Sequence, residues 1–291
     1  MGTSSTYGGP SSGLVPSWVD DADPGGGSGD AAPDTGDDSQ TDPGQAGPDA
    51  GDASPDVSTS PATPGPVSLP NMSGPRGNFT RFTNSGNERA LSRAVSGYLA
   101  STGGGRRAAQ RMPSSTRLAS GIAGFANSFA TEGPARALQR FELQGMAGRP
   151  AVEVFDALAD TLCPDGGTID EGIARDAMLE SIAVFATEDL GNFEDLTADH
   201  LQEFLAEVIT RCIETKVINE IGTNSLHGSA TDADFRGAEG ILHDYTSQAV
   251  RDALSDVLNS AGAVDGAQME VRIAGVFSDA FNILQSILEA L

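Results

Sequence analysis

Residues 196–222 read LTADHLQEFLAEVITRCIETKVINEIG, and the rhythm of their apolar side chains decides the fold. Leu201, Phe204, Leu205, Val208, Ile209, Cys212, Ile213, Val217 and Ile221 recur at helical spacing, which gives one wide face to bury. Thr197 stands where a helix N-cap belongs, and His200 holds the N3 position, where a glutamate would complete a capping box. Gly222 or Gly228 supplies the stop.

The same pattern spreads in both directions. Upstream, Thr168 and Glu171 form a capping box for a helix carrying Ile173, Ala177, Met178, Ile182 and Phe185. Pro150 starts a helix through Val152, Val154, Phe155, Leu158 and Leu162, which the turn CPDGGT ends. Pro134 sits near the start of another, with Ala135, Leu138 and Phe141. Ser114 or Ser115 caps a helix with Leu118, Ile122, Phe125 and Phe129, and Asn87 caps one through Leu91, Val95 and Leu99. Downstream, helices are expected over about 234–260 and about 267–290, the first carrying Ile241, Leu242, Tyr245, Val250, Leu254, Val257 and Leu258. Few β-branched runs of period two occur, and no repeat. The expectation is an all-α protein, its C-terminal part a multi-helix bundle of about six to eight helices.

The N-terminal quarter is built differently. Residues 20–75 are mostly Asp, Gly, Pro, Ala and Ser, with eleven Asp and no Glu, Lys or Arg. Such a segment buries too little apolar surface to offset its chain entropy, so it reads as a long disordered acidic linker. A flexible coil of that length spans roughly 40 Å. Residues 1–19, MGTSSTYGGPSSGLVPSWV, hold the only tryptophan, Trp18, beside the apolar cluster Leu14-Val15-Pro16-Ser17-Trp18-Val19. Too short to fold alone, they read as a docking peptide. The expected division is an N-terminal motif over 1–19, a linker over 20–75 and an all-helical domain over 76–291.

Charge narrows the function. A net charge of -24 argues against non-specific binding to nucleic acid or anionic membrane. One stretch runs the other way: between 76 and 118, Arg76, Arg81, Arg89, Arg93, Arg106, Arg107, Arg111 and Arg117 face a single acid, Glu88. Two readings stand for it, a solvated basic face neutralised by the chain's own acids, or a surface for an anionic partner. The two cysteines, Cys163 and Cys212, lie in no metal-spaced cluster and read as buried free thiols. No run reaches the ~18 apolar residues of a membrane span, and the N-terminus lacks the basic and apolar regions of a secretory signal. The reading is cytoplasmic.

No reaction centre is legible. His200, His227 and His243 form no HxH or HExxH motif, and His200 with Glu203 offers only two ligands of a metal site. The Gly25–Gly27 and Gly103–Gly105 runs lack the Gly-Lys-Ser/Thr of a phosphate loop. Gly9-Pro10-Ser11-Ser12-Gly13 has the letters of a nucleophile elbow without the flanking strand and helix. Asp195 with Glu203, and Asp234 with Glu239, read as caps and surface charges. The expectation is no enzyme, no metal and no cofactor. Met1-Gly2 is a substrate for removal of the initiator methionine, which leaves an unhindered glycine amine with a pKa near ~8. It also opens the pattern Met-Gly-x-x-x-Ser/Thr through Thr6.

Four patches taken together resemble the QatB family of a bacterial anti-phage defence system. They are GTSSTYGGP followed by LVPSW, GNFTRFTNSG at 77–86, PDGGTIDEGIARDAMLE at 164–180, and IETKVINEIGT at 213–223. The resemblance implies partners rather than a reaction: a P-loop ATPase, a QueC-like enzyme and a TatD-like nuclease. QueC enzymes use ATP to convert a carboxy-deazaguanine, so Gly2 is implied as the acceptor of a 7-deazaguanine group, an adduct rather than a cofactor. Thr3, Tyr7, Gly8, Gly9 and Pro10 would be threaded into that enzyme. Tyr7 and Trp18 would anchor on a partner, with Pro16, Arg76 and Arg81 as further contacts. The other classes are an unmodified adaptor and an uncharacterised helical hydrolase.

Overall fold

The computed structural model describes residues 71–163, 167–188, 190–222, 231–258 and 266–291. Ten α-helices are described: α1 (Ser73–Ser85), α2 (Glu88–Thr102), α3 (Gly105–Gln110), α4 (Pro113–Glu132), α5 (Pro134–Arg140), α6 (Ala151–Leu162), α7 (Ile169–Phe185), α8 (Ala198–Val217), α9 (Asp232–Leu258) and α10 (Gly266–Glu289). A π turn, Ile218–Gly222, continues α8. Among the described residues there is no strand, only an isolated bridge between Pro150 and Asn192. The all-α reading holds.

The caps explain most boundaries. Asn87 accepts from the Arg89 N–H at 3.0 Å and starts α2. The Thr168–Glu171 box is closed in both directions. At α8 the box is also closed, because His200 takes the glutamate's part: its Nδ1 accepts from the Thr197 N–H at 3.2 Å, while its own N–H donates to the Thr197 hydroxyl at 3.3 Å. Ser114 and Ser115, read as caps of α4, are not. Met112 is the N-cap and Pro113 the first helical residue. The cap comes from another helix: the Asp170 carboxylate in the first turn of α7 accepts from the Ser114 N–H, and from the Ser115 hydroxyl at 2.9 Å. A carboxylate at a helix N-terminus meets both the open N–H groups and the positive end of the dipole.

Two helices exceed the expected number. One is α1, whose only large buried residues are Phe79 and Phe82; the other is the six-residue α3. Neither is long or apolar enough to show a helical stripe in sequence, and each forms because a neighbour receives it.

Helix α8 lies at the centre, packed against α4, α7 and α9. Phe204 of α8 stacks on Phe155 of α6, with centroids 4.2 Å apart and planes 8° from parallel, and Phe185 of α7 meets Phe204 edge-on at 5.2 Å. This trio joins three helices. A second aromatic group, Phe125, Phe129, Phe141 and Phe193, gathers the segment after α5 and the turn before α8 around α4. Helix α10 closes the other side, burying Ile273, Val276, Phe277, Phe281, Leu284 and Leu288. By length and composition α10 is also apolar enough to cross a membrane, which the sequence reading did not find. Most of its large apolar residues belong to the bundle core, and Val271 is exposed; a core helix passes the same test of length and composition. Cys163 and Cys212 are both buried and unbridged.

Phe204→Ala should therefore cost about 3–5 kcal/mol, read as a lower denaturation midpoint. Leu179→Ser, on a residue 45% exposed, should stay within about 0.5 kcal/mol of the parent.

Candidate functional site

Two of the patches that carried the resemblance meet in space. GNFTRFTNSG forms most of α1 and IETKVINEIG forms the end of α8 with its π turn. The ring of Phe79 sits so close to Gly222 that a Cβ there would lie 3.3 Å from its Cε1, so glycine lets α1 approach the turn. Arg76 Nε donates to the Glu220 carbonyl at 3.0 Å. That bond supplies a donor for the backbone of a π turn, an irregularity often kept at functional positions. The Glu220 carboxylate in turn takes Lys216 at 2.9 Å and Arg111 at 3.4 Å. Lys216 is the only lysine of the chain, and it is 8% exposed. Tyr98 lies buried nearby; burial first, and then the Glu220 charge, push its hydroxyl pKa up. Among the described residues its hydroxyl has no hydrogen-bond partner.

The arginine stretch divides in two. Arg76, half-buried, and Arg111, still exposed, both bond to this node. Arg81, Arg89, Arg93, Arg106, Arg107 and Arg117 are exposed, and the Arg81 guanidinium donates to Asn78 Oδ1 at 3.0 Å. No acid occurs between Glu88 and Glu132, so the charges that α2, α3 and the start of α4 themselves expose are arginines, while the acids beside them, such as Glu270 and Asp279, come from α10.

A third polar group lies between α7, α8 and α9, around a cavity of about 380 Å³. His243 faces Glu214 through Nδ1 at 3.0 Å and Glu207 through Nε2 at 3.7 Å. Arg211 holds Glu207 at 2.7 Å and Glu180 at 2.8 Å. The hydrogen bond to Glu214 pushes the His243 pKa up against the opposing effect of burial. Glu239 is pushed up by burial and by the charges of Glu214 and Glu180. Sequence reasoning missed this group, although Glu207, Arg211 and Glu214 share the helical face opposite the apolar stripe. It read Asp234 and Glu239 as capping and surface charges. Asp234 does cap, accepting from Thr231, but Glu239 belongs to this cavity.

The remaining reactive groups are quiet. Burial pushes the Cys212 thiol up to about 12 and raises Cys163 as well, so neither is a ready thiolate. His200 is held in its cap, and Glu203 pairs with Arg251. Among the described residues no group of three His, Cys, Asp or Glu is placed to hold a metal. Gly2, Thr3, Tyr7, Gly8, Gly9, Pro10, Pro16 and Trp18 lie outside the described residues, as does His227.

These features define an all-α bundle protein whose described polar clusters join its own helices. The family model of the Qat anti-phage system associated protein QatB matches residues 103–284, and the chain belongs to that family. It is thus an accessory protein of an anti-phage defence system, working with other components of that system. The match begins just before α3 and runs into α10. No curated protein and no solved structure matches the chain.

Glu220→Ala should cost about 3–5 kcal/mol, because it leaves Lys216 buried and unpaired. Lys216→Met should cost less, since Glu220 keeps Arg111; urea denaturation of both variants checks the order. For His243 the raised pKa means that the native state holds the proton more tightly than the unfolded chain. That stabilisation is fully present below a pH of about 6.5 and is lost as pH rises through the folded pKa. His243→Gln should remove this part of the fall in stability as pH rises from about 6.5, seen as a flatter plot of denaturation midpoint against pH.

Proposed function

We propose that this chain is a non-enzymatic accessory protein acylated on its N-terminal glycine by a QueC-like enzyme of the same system. The observation that carries the reading is the state of Lys216. The chain's only ε-amine is buried and held by Glu220, which leaves the α-amine of Gly2, once Met1 is removed, as the accessible aliphatic amine. An acylating enzyme then needs little discrimination to modify one position.

The chemistry balances without a protein nucleophile from this chain. ATP activates the deazaguanine carboxylate as an acyl-adenylate and diphosphate leaves. The neutral Gly2 amine attacks the acyl carbon, AMP departs, the amine loses a proton, and an amide remains. With a pKa near ~8 the amine is partly neutral at physiological pH. Gly8 and Gly9 let the backbone approach an active site closely. Tyr7 and Trp18 supply large contact area at low entropy cost, with Pro10 and Pro16 limiting the conformations to be ordered. In this reading the motif over 1–19, the linker over 20–75 and the helical part over 76–291 are reach and anchor for one amine, acting in the cytoplasm.

The exposed arginines favour a second reading, an unmodified adaptor. Here the N-terminal peptide and the helical part dock the P-loop ATPase and the TatD-like nuclease, with Arg81 rather than the inward Arg76 on the outer surface.

Intact mass and the N-terminal peptide spectrum, with and without the QueC-like enzyme, test the proposal. The expected gain is the mass of the deazaguanine acid less one water, confined to Gly2 and reduced by Gly2→Pro, whose secondary amine is more hindered. An unmodified glycine beside demonstrably active enzyme would sink the acceptor role and leave the adaptor.

A further inference from the structure

Helix α10 is more apolar than the bundle requires, since only 39% of its most apolar window is buried. The surplus lies in its N-terminal half, where Ala267, Val271 and Ala274 are exposed, Val271 at 74%. Beside this ridge α10 forms a groove of about 730 Å³ with α3 and the first turn of α4, whose wall includes Ala109 and Pro113. Both signs of charge border the groove: Glu270 and Asp279 on α10, and Arg106 on α3. Among the described residues none of these three stands in an ion pair. Arg106 is placed at the level of Ser278, because a Cβ on the preceding Gly105 would lie 2.8 Å from the Ser278 carbonyl oxygen. Gly275 lies midway between Glu270 and Asp279, and a glycine inside a helix is unfavourable relative to alanine. A Cβ there would meet nothing within 4 Å, so no contact inside the bundle calls for it, whereas the close approach of a second backbone does.

We propose that this face is an interface between two copies of the chain, related by a two-fold axis that crosses α10 between Ala274 and Gly275. Ridge and groove lie side by side on one face, so a two-fold seats the Val271 ridge of each copy in the groove of the other. The axis brings position 270 of one copy level with position 279 of the other. Glu270 then meets the second copy's Arg106, which stands between that acid and the Asp279 of its own chain. This order of charges selects the occupant. A uniformly acidic ligand would meet Glu270 and Asp279, and a uniformly basic one would meet Arg106, but a second copy presents the same signs in reverse order. Positions 270 and 279 lie about 14 Å apart along the helix, so the two Glu270–Arg106 pairs bracket an apolar strip of that length. At its centre Ala274 and Gly275 leave little between the two backbones.

The inference holds whether or not Gly2 is acylated. It places two N-terminal amines on one assembly, so a partner with two sites gains from their linkage.

Sedimentation equilibrium of the full chain, from micromolar to near-millimolar concentration, tests the proposal. The expected result is a mass that climbs with concentration from that of one chain to that of two. Val271→Asp buries two unpaired carboxylates per dimer and should weaken association about a hundredfold or more. Arg106→Glu and Glu270→Arg, each setting like charges across the axis, should both weaken it about tenfold or more. The double variant re-forms the pair with its signs exchanged and should recover most of the loss. All of these positions are exposed, so the denaturation midpoint, measured at a concentration where the parent is monomeric, should stay in place. A parent that remains a monomer at near-millimolar concentration would overturn the proposal and leave the face to a different protein. A dimer that survives Val271→Asp would overturn it by placing the contact elsewhere, and a double variant no tighter than the single ones would overturn the two-fold pairing.

Discussion

A helix buried against three neighbours must still place its charged residues somewhere, and the rest of this bundle is arranged around that requirement at α8. Burying an unpaired charge costs several kcal/mol, so Glu207, Arg211, Glu214, Lys216 and Glu220 each need a partner. The upper face sends Glu207 and Glu214 to His243 of α9, and Arg211 to Glu180 of α7. The end of the helix sends Lys216 to Glu220, where Arg111 arrives from the residue that closes α3. The aromatic stack of Phe155 and Phe204 then fills the side that carries no charge. Apolar packing supplies the driving force, while the paired charges fix which neighbour lies on which face.

The helices were legible in the sequence to the extent that their information is local. Apolar spacing and caps such as Asn87, Thr168 and Thr197 act within one turn, so they give α2, α7 and α8 directly. The features that escaped are those made by two distant segments. Asp170 caps a helix more than fifty positions away, a role no local pattern could assign, and Ser114 and Ser115 therefore looked like caps themselves. His200 shows the reverse error, since a histidine was not expected to complete a box that its Nδ1 can close. Helix α1 hid because its stability comes from Phe79 meeting Gly222, not from its own composition. The His243 cluster hid for the same reason, as its members come from three helices.

The function divides along a similar line. The family match falls on the helical part, from 103 to 284, whereas the chemistry argued for the chain falls on its first residues. Those two halves are joined by one consideration, the scarcity of amines. A bundle of this size with a single lysine is unusual in composition, and here that lysine is structural. The exposed cations are guanidiniums, which stay charged and are poor acyl acceptors. The protein can thus expose cationic side chains without exposing a lysine amine.

The placement of Arg76 has a consequence for how the chain is cut. It is the first basic residue of the sequence, so proteases that cleave after arginine or lysine find no site in the whole acidic N-terminal region. The earliest bond open to them lies inside α1, where the Arg76 side chain is held on the Glu220 carbonyl. A cleft that must receive an extended strand cannot take that bond while α1 is wound. Trypsin-like enzymes can therefore shed the tail only from molecules in which α1 has already opened, and the tail's survival becomes a gauge of whether the π turn of α8 is still covered.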